Sequence, residues 1–245
     1  MDPLVSPRRV LLSWSSGKDS AWTLHVLRQQ GIEVVGLLTT FNEEADRVAM
    51  HAVRSTLVAA QAAGTDLPVW RVPLPWPCSN DDYERRMSAV LARAFSEGVT
   101  HIAFGDLFLE EIRAYRVRQL AATGIEPLFP LWCSPTDTSA LARDMIDSGL
   151  KAILTCVDTK KLAADFAGRA YDRALLADLP PDIDPCGERG EFHTFCFDGP
   201  MFRAPIPVRV GAVIRRDGFC FADVIECSEQ QVPRFARDDI APDFF

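Results

Sequence analysis

The chain has 245 residues, 48% of them hydrophobic, enough to bury a continuous core in one large domain or two modest ones. No stretch approaches the roughly 20 uninterrupted apolar residues of a membrane helix, and the opening residues lack the apolar run of a signal peptide, so a cytoplasmic protein with no membrane partner is expected. A net charge of −8, with no basic run longer than pairs such as Arg8-Arg9 and Arg85-Arg86, argues against nucleic acid as a partner, and seven widely spaced cysteines without a Cys-x-x-Cys pair argue for reduced, buried thiols.

Short β-rich runs alternate with helical patterns through the first half, as a parallel sheet flanked by helices reads in sequence. The first strand is expected at 10–14. A helix over 21–30 then carries Leu24 and Leu27 on one face and stops at Gly31. A second buried strand is expected at 32–40, followed by a helix over about 45–63 with Met50, Val53, Leu57 and Ala60 at helical spacing. The third strand falls at 68–72, a proline-rich loop at 73–80, and Asn80 is expected to cap a helix reaching Ser96. A fourth strand at 100–104 runs into Gly105-Asp106, followed by a helix over about 109–123 and an extended segment at 126–131.

A polar, proline-containing stretch at 132–138 marks the expected boundary between domains of 1–133 and 134–245. Beyond it come a helix at 137–148, a strand at 150–157, and strand-like runs at 192–197, 208–214 and 219–225. Asp217-Gly218 gives a hairpin signal between the last two. The second half is therefore expected to be a smaller α+β domain.

Ser15-Ser16-Gly17-Lys18-Asp19-Ser20 sits where the first strand hands over to an amphipathic helix. Backbone amides and the positive helix end there converge on one concavity suited to a polyphosphate. Gly17 admits close approach, the three serines offer hydroxyls, and Lys18 adds a point charge. The plain alternative is a serine-rich turn capping an ordinary helix. Gly-x-x-x-x-Gly-Lys-Ser/Thr is absent, and the loop resembles instead the pyrophosphate loop of the N-type ATP pyrophosphatases, Ser-Gly-Gly-x-Asp-Ser, with Ser16 in place of the first glycine. In that family the loop holds the β- and γ-phosphates while a substrate oxygen attacks the α-phosphate, and the resemblance places Asp19 at the loop amides or near magnesium.

Further along, Gly105-Asp106-Leu107, the Tyr115-Arg116-Val117-Arg118 run and Glu126-Pro127-Leu128-Phe129-Pro130-Leu131-Trp132 follow in order. Then come Cys186-Gly187-Glu188-Arg189-Gly190-Glu191-Phe192-His193-Thr194 and Asp198-Gly199-Pro200-Met201-Phe202. Together with the loop these resemble the diphthine–ammonia ligase (diphthamide synthase) family. That family has Gly-Glu-Gly-Gly-Glu-Tyr-Glu-Thr and Asp-Cys-Pro-Leu-Phe at the same spacing.

The resemblance implies a Rossmann-like, HUP-type α/β fold with a smaller C-terminal α+β domain, and use of ATP with Mg²⁺. Ser15, Ser16, Gly17, Lys18, Asp19 and Ser20 would hold phosphates, and Gly105 and Asp106 would border the nucleotide. Arg116 either neutralises phosphate or is a solvated helix arginine. Thr40 and the run Phe41-Asn42-Glu43-Glu44 lie at the expected adenine and ribose edge. Asp46, Arg47, His51 and Arg54 share or neighbour one helical face as nucleotide or acceptor contacts, or as plain solvated surface. A Trp70, Trp76, Pro75 and Pro77 cluster is either a lid or core packing.

Glu188 and Glu191 match family glutamates lining the acceptor pocket, where two carboxylates could recognise a cation or accept a proton. His193, where the family has glutamate, is either a general base near neutral pH or a satisfied strand histidine. Phe192 and Arg189 depart from the family in the same motif, and Glu-Phe-His-Thr resembles its bacterial branch. The expected activity is therefore ATP-dependent, amide-forming ligation: adenylation of an acceptor carboxylate, then displacement of AMP by ammonia or an amine. The acceptor is a small molecule or a modified residue, and a homodimer is left open. The rival readings are a non-catalytic ATP- or AMP-binding regulator and an adenylating enzyme acting on an unrelated small molecule.

Overall fold

The computed structural model describes residues 8–48 and 53–227. A six-stranded sheet occupies the first half. Its strands are β1 (Arg9–Ser13), β2 (Glu33–Asn42), β3 (Arg47–Val48), β4 (Val69–Leu74), β5 (His101–Ala103) and β6 (Glu126–Leu128). The order β4-β2-β1-β5-β6 is parallel throughout, and β3 pairs antiparallel with the end of β2. The chain leaves β1 toward β2 and β4, then returns to the other side of β1 as β5, which makes the carboxyl ends of β1 and β5 the topological switch point where such sheets bind ligands.

Two apolar layers cover this sheet. On one face α3 (Asn80–Ser96) and α4 (Glu110–Leu120) pack through Met87, Leu91, Ala94 and Leu120 against Leu11, Leu38, Trp70 and Ile102. The other face carries α1 (Lys18–Gln29), through Leu24 and Leu27, and α2 (Ser55–Thr65), through Leu57 and Val58. This second cluster is shared with the C-terminal half. There an antiparallel sheet runs β8-β7-β10-β9, built from β7 (Lys151–Asp158), β8 (Phe192–Asp198), β9 (Val208–Arg216) and β10 (Phe219–Glu226). It is accompanied by α5 (Thr138–Asp147) and α6 (Arg173–Asp178). Phe195, Cys196 and Met201 reach the same core as Leu24 and Leu57, so one apolar interior crosses between the halves.

The architecture is α/β, with a parallel, helix-flanked sheet joined to a smaller antiparallel one. Two local readings are corrected. The helix expected over 45–63 begins only at Ser55: Asn42 Oδ1 accepts from the amides of Glu44 and Ala45, forming a turn that leads into β3, and Asp46 has φ +48°. Asp46, Arg47 and Arg54 thus share no helical face, while Met50 and His51 lie outside the described residues. Ser79 rather than Asn80 caps α3, accepting from the Asp82 amide. Trp70 is buried in the core, Trp76 is 67% exposed, and neither lines the cleft described below. The Asp217-Gly218 hairpin forms with both residues at positive φ, as a tight two-residue turn requires.

Candidate functional site

The loop from Ser15 to Gly17 leaves β1 and becomes the N-terminus of α1, whose Gly17 is the N-cap. Amides of a first helical turn lack carbonyl partners four residues back, so those of Lys18, Asp19 and Ser20 must be satisfied from outside the helix. The Lys18 amide donates to Thr194 Oγ1 at 3.0 Å. The Ser20 hydroxyl donates to the Gly17 carbonyl at 3.0 Å, and Ser15 Oγ lies 3.3 Å from Ser20 Oγ.

Ser16 is wholly buried at φ +69°, a conformation that glycine adopts without strain. Its carbonyl is held from two directions. The Cys196 amide donates at 3.0 Å, and so does Gln61 Nε2. Gln61 is 0% exposed, bonds also to the Cys196 carbonyl, and accepts from Trp14 Nε1 at 2.8 Å. Strand β8 and helix α2 therefore set the loop's shape. Nothing local in the sequence marks Gln61, Trp14 or Thr194 as its supports.

A cleft of ≈ 380 Å³ opens at the carboxyl ends of β1, β2 and β5. Its apolar wall is Leu38, Val48, Leu74, Met87, Leu91, Ile102 and Phe104, and its polar end is Ser13, Ser15, Thr40, Tyr83, Arg116 and Gln119. Strand β3 pairs with Phe41 and Asn42 on the edge of β2 opposite β4, which is the edge β1 occupies lower down. β3 therefore continues that edge past the end of β1, where Val48 walls the cleft. Ion pairs from Arg47 and Arg54 to Asp223 of β10 tie this wall to the C-terminal sheet. Thr40 lines the cleft as expected of a β2 end. Phe41 does not: strand alternation turns it to the other face of the sheet, where it is buried under the Arg71 guanidinium.

Gly105 follows β5 where a Cβ would stand 3.0 Å from the Asp19 carbonyl carbon, so its backbone packs directly on the start of α1. Asp106 Oδ2 lies 3.6 Å from Arg116 Nε, close enough for an ion pair and too far for a hydrogen bond. Both atoms are buried without a hydrogen-bond partner, as is Gln119 Nε2. Burial raises the Asp106 carboxyl above the ordinary range against the pull of Arg116, with Asp19 adding to the rise. Unsatisfied buried donors and acceptors at the mouth of a cleft are groups whose partner comes from a ligand or from solvent.

On the side facing the C-terminal half, the loop 184–191 meets the start of α1. Lys18 is 2% exposed and its ammonium does not line the cleft. It donates to both Asp19 carboxylate oxygens, at 3.0 and 2.8 Å, and to the Cys186 carbonyl. It also lies 5.4 Å from the Tyr171 ring centroid and 5.6 Å from that of Phe192. Burial opposes the charged ammonium, but Asp19, Cys186 and Glu188 together raise its pKa.

Glu188 Oε1 accepts from the Leu107 amide at 2.8 Å, next to Asp106, and burial pushes its carboxyl up to about 7. Glu191 is also buried. Its Oε1 accepts from the Asp184 amide at 3.2 Å, and its Oε2 has no hydrogen-bond partner. Burial, with Lys18 and Lys161 adding, pushes His193 down to about 4, so its imidazole is neutral and too weakly basic to take up a proton near neutral pH. Of the two readings of His193, burial favours the satisfied strand histidine over a base near neutrality, and Glu188 is the group whose ionisation falls there.

All seven cysteines are free, and five of them are buried. No helix among the described residues is long and apolar enough to cross a membrane. Comparison with known proteins matches residues 8–124 to the diphthamide synthase N-terminal domain and 137–224 to its C-terminal domain. A diphthine–ammonia ligase of Schizosaccharomyces pombe is 28% identical over 241 residues, covering 89% of this chain and 39% of that protein. The Bos taurus and Homo sapiens diphthine–ammonia ligases are 26% and 25% identical, with 88% of each chain covered. A crystal structure described as a predicted subunit of tRNA methyltransferase from Methanocaldococcus jannaschii is similar over 61% of this chain and 80% of that one. At 16% identity and a TM-score of 0.36 it is too distant a likeness to bear on function. With both halves of the chain matched in order by the family's two domains, the protein belongs to the diphthamide synthase family.

Proposed function

We propose that the protein is an ATP-dependent ligase that adenylates an acceptor carboxylate with release of pyrophosphate, then forms an amide as ammonia or an amine displaces AMP. The observation that carries this reading is the junction itself. An amide-rich helix start and an apolar cleft with orphaned polar atoms, Arg116 Nε and Gln119 Nε2, lie on one side, with the orphaned Asp106 Oδ2 beside Arg116. The carboxylates of Glu188 and Glu191 lie on the other.

The cleft volume falls in the range of ligand pockets, about 300–1,000 Å³. Its apolar wall suits an adenine, and Thr40 and Tyr83 are polar contacts at its rim. Ser15, Ser20 and the amides of Asp19 and Ser20 would hold the β- and γ-phosphates, with Ser16 and Gly17 shaping the loop and Arg116 meeting phosphate charge.

Mg²⁺ fits this donor set. It ordinarily takes one or two carboxylates beside the substrate's phosphates, and Asp106 Oδ2 is a carboxylate oxygen with no hydrogen bond to give up. Asp106, with Asp19 behind it, would hold the ion, which would supply charge neutralisation on the departing pyrophosphate. Glu188, ionising near neutrality beside this point, would take the proton that ammonia loses on forming the amide. Membership of the family supports ATP use and carbon–nitrogen ligation, and its curated relatives are named for diphthine as acceptor and ammonia as donor.

The test is to incubate the protein with Mg²⁺ and ATP, ammonium and a diphthine-bearing protein, and to separate the nucleotides. Acceptor-dependent AMP and pyrophosphate are expected. ADP would overturn the reading, and tight ATP binding without any product would favour a regulatory nucleotide-binding protein.

A further inference from the structure

Loop 184–191 carries the two glutamates assigned above to the acceptor side, and it is stitched internally. The Glu188 amide donates to Asp184 Oδ2 at 2.8 Å, the Gly187 amide to the Asp184 carbonyl at 2.8 Å, and the Gly190 amide to the Gly187 carbonyl at 3.0 Å. Tyr171 Oη donates to the Pro185 carbonyl at 2.9 Å. Toward the nucleotide half the loop makes two hydrogen bonds, Glu188 to the Leu107 amide and the Cys186 carbonyl to the Lys18 ammonium, and the Arg189 guanidinium lies 5.5 Å from the Phe108 ring centroid.

A lysine in a phosphate loop would ordinarily be assigned to phosphate. Here its ammonium is enclosed by a carboxylate, a carbonyl and two aromatic rings, while its own amide is held by Thr194 of β8. To reach the cleft the ammonium would have to abandon Asp19, leaving that carboxylate uncompensated beside Asp184, deprive the Cys186 carbonyl of its donor, and vacate the space beside the two rings.

We propose that Lys18 is a positioning residue that fastens loop 184–191 to the phosphate loop, and so sets the acceptor side against the nucleotide, rather than a ligand of the nucleotide. The inference rests on the ligase reading for what the two sides do, and on the geometry alone for the fastening.

Two measurements on the full chain test it: calorimetric binding of the β,γ-imido analogue of ATP with Mg²⁺, and hydrogen exchange of residues 184–191 with and without that analogue. For Lys18→Met the expected result is an analogue affinity within threefold of wild type. Exchange in 184–191 should be at least tenfold faster, and the protection that the analogue confers on that loop in the wild type should be lost. A tenfold or greater loss of affinity would make Lys18 a phosphate ligand and overturn the proposal, as would unchanged exchange.

Should Lys18→Met not fold, Phe192→Leu strips one of the enclosing rings without touching the phosphate loop. It is expected to show the same pattern, and unchanged exchange there overturns the proposal equally. If the wild type fails to bind the analogue at all, the ligase reading falls, while the exchange measured without nucleotide still decides the role of Lys18.

Discussion

Glu188 and His193 are displaced in opposite senses by the same cause, and their effects on stability should nearly cancel. The Glu188 carboxyl stands at about 7 in the folded protein against 4.5 as a free group. The native state therefore holds a proton that the unfolded chain has lost, and stability contributed at low pH is lost as pH rises from 4.5 through 7. At ~1.4 kcal/mol per pH unit that interval is worth ~3 kcal/mol. His193 stands at about 4 against 6.5, so the unfolded chain binds a proton the native state refuses. Its contribution is full above pH 6.5 and is lost, again by ~3 kcal/mol, as pH falls toward 4.

Between pH 4.5 and 6.5 the wild type should feel little net slope from the pair. Glu188→Gln keeps an acceptor for the Leu107 amide and removes the charge, which exposes the histidine. Its stability relative to wild type should climb by ~3 kcal/mol over that window. His193→Gln should fall by a similar amount from pH 4.5 to 7 relative to wild type. Urea unfolding of the three proteins at half-unit pH steps measures both differences, and titrations common to all three cancel. Difference curves that are flat, or that slope the same way, would refute the assignment of these two groups to a shared buried environment.

Other perturbations have equally definite outcomes. Gln61→Leu leaves Trp14 Nε1 and the Ser16 and Cys196 carbonyls short of a partner, which should cost ~3 kcal/mol and lower Tm by ~6–12 °C in a calorimetric scan. Ser16→Gly relieves a positive φ and should raise stability by ~1 kcal/mol in chemical denaturation, a gain that would be absent if the side chain's contact with the Ser15 carbonyl mattered more. Arg116→Gln should weaken ATP binding about tenfold in calorimetry if the guanidinium meets phosphate, and leave it unchanged if the arginine serves only Asp106. Asp19→Ala strands a buried ammonium and should destabilise by ~3–5 kcal/mol, so Asp19→Asn is the cleaner probe; it should abolish AMP formation while retaining the native circular dichroism spectrum.

Much of the candidate site was legible in one dimension because its signals are local. A buried strand, a serine/glycine turn and an amphipathic helix follow one another within twenty or so residues, and Gly105-Asp106 sits at the end of another apolar run. The same local reasoning placed the Asp217-Gly218 hairpin. It failed at 45–48, where helical spacing of apolar residues lost to an Asx turn and a short strand paired to the open edge of β2. It failed at Phe41 because alternation tells two faces apart without saying which one the cleft takes.

The sequence by itself determined the elements, their order and the loop that starts α1, since those depend on backbone preferences and hydrophobic period over a few residues. Only the tertiary structure decided that Gln61, Thr194 and Cys196 hold that loop, that Lys18 turns to the Cys186 carbonyl 168 residues away, and that Glu188 and His193 ionise far from their ordinary values. Desolvation and long-range hydrogen bonds come into being when the two halves close on each other, and no periodicity in the chain encodes which polar groups that closure will trap.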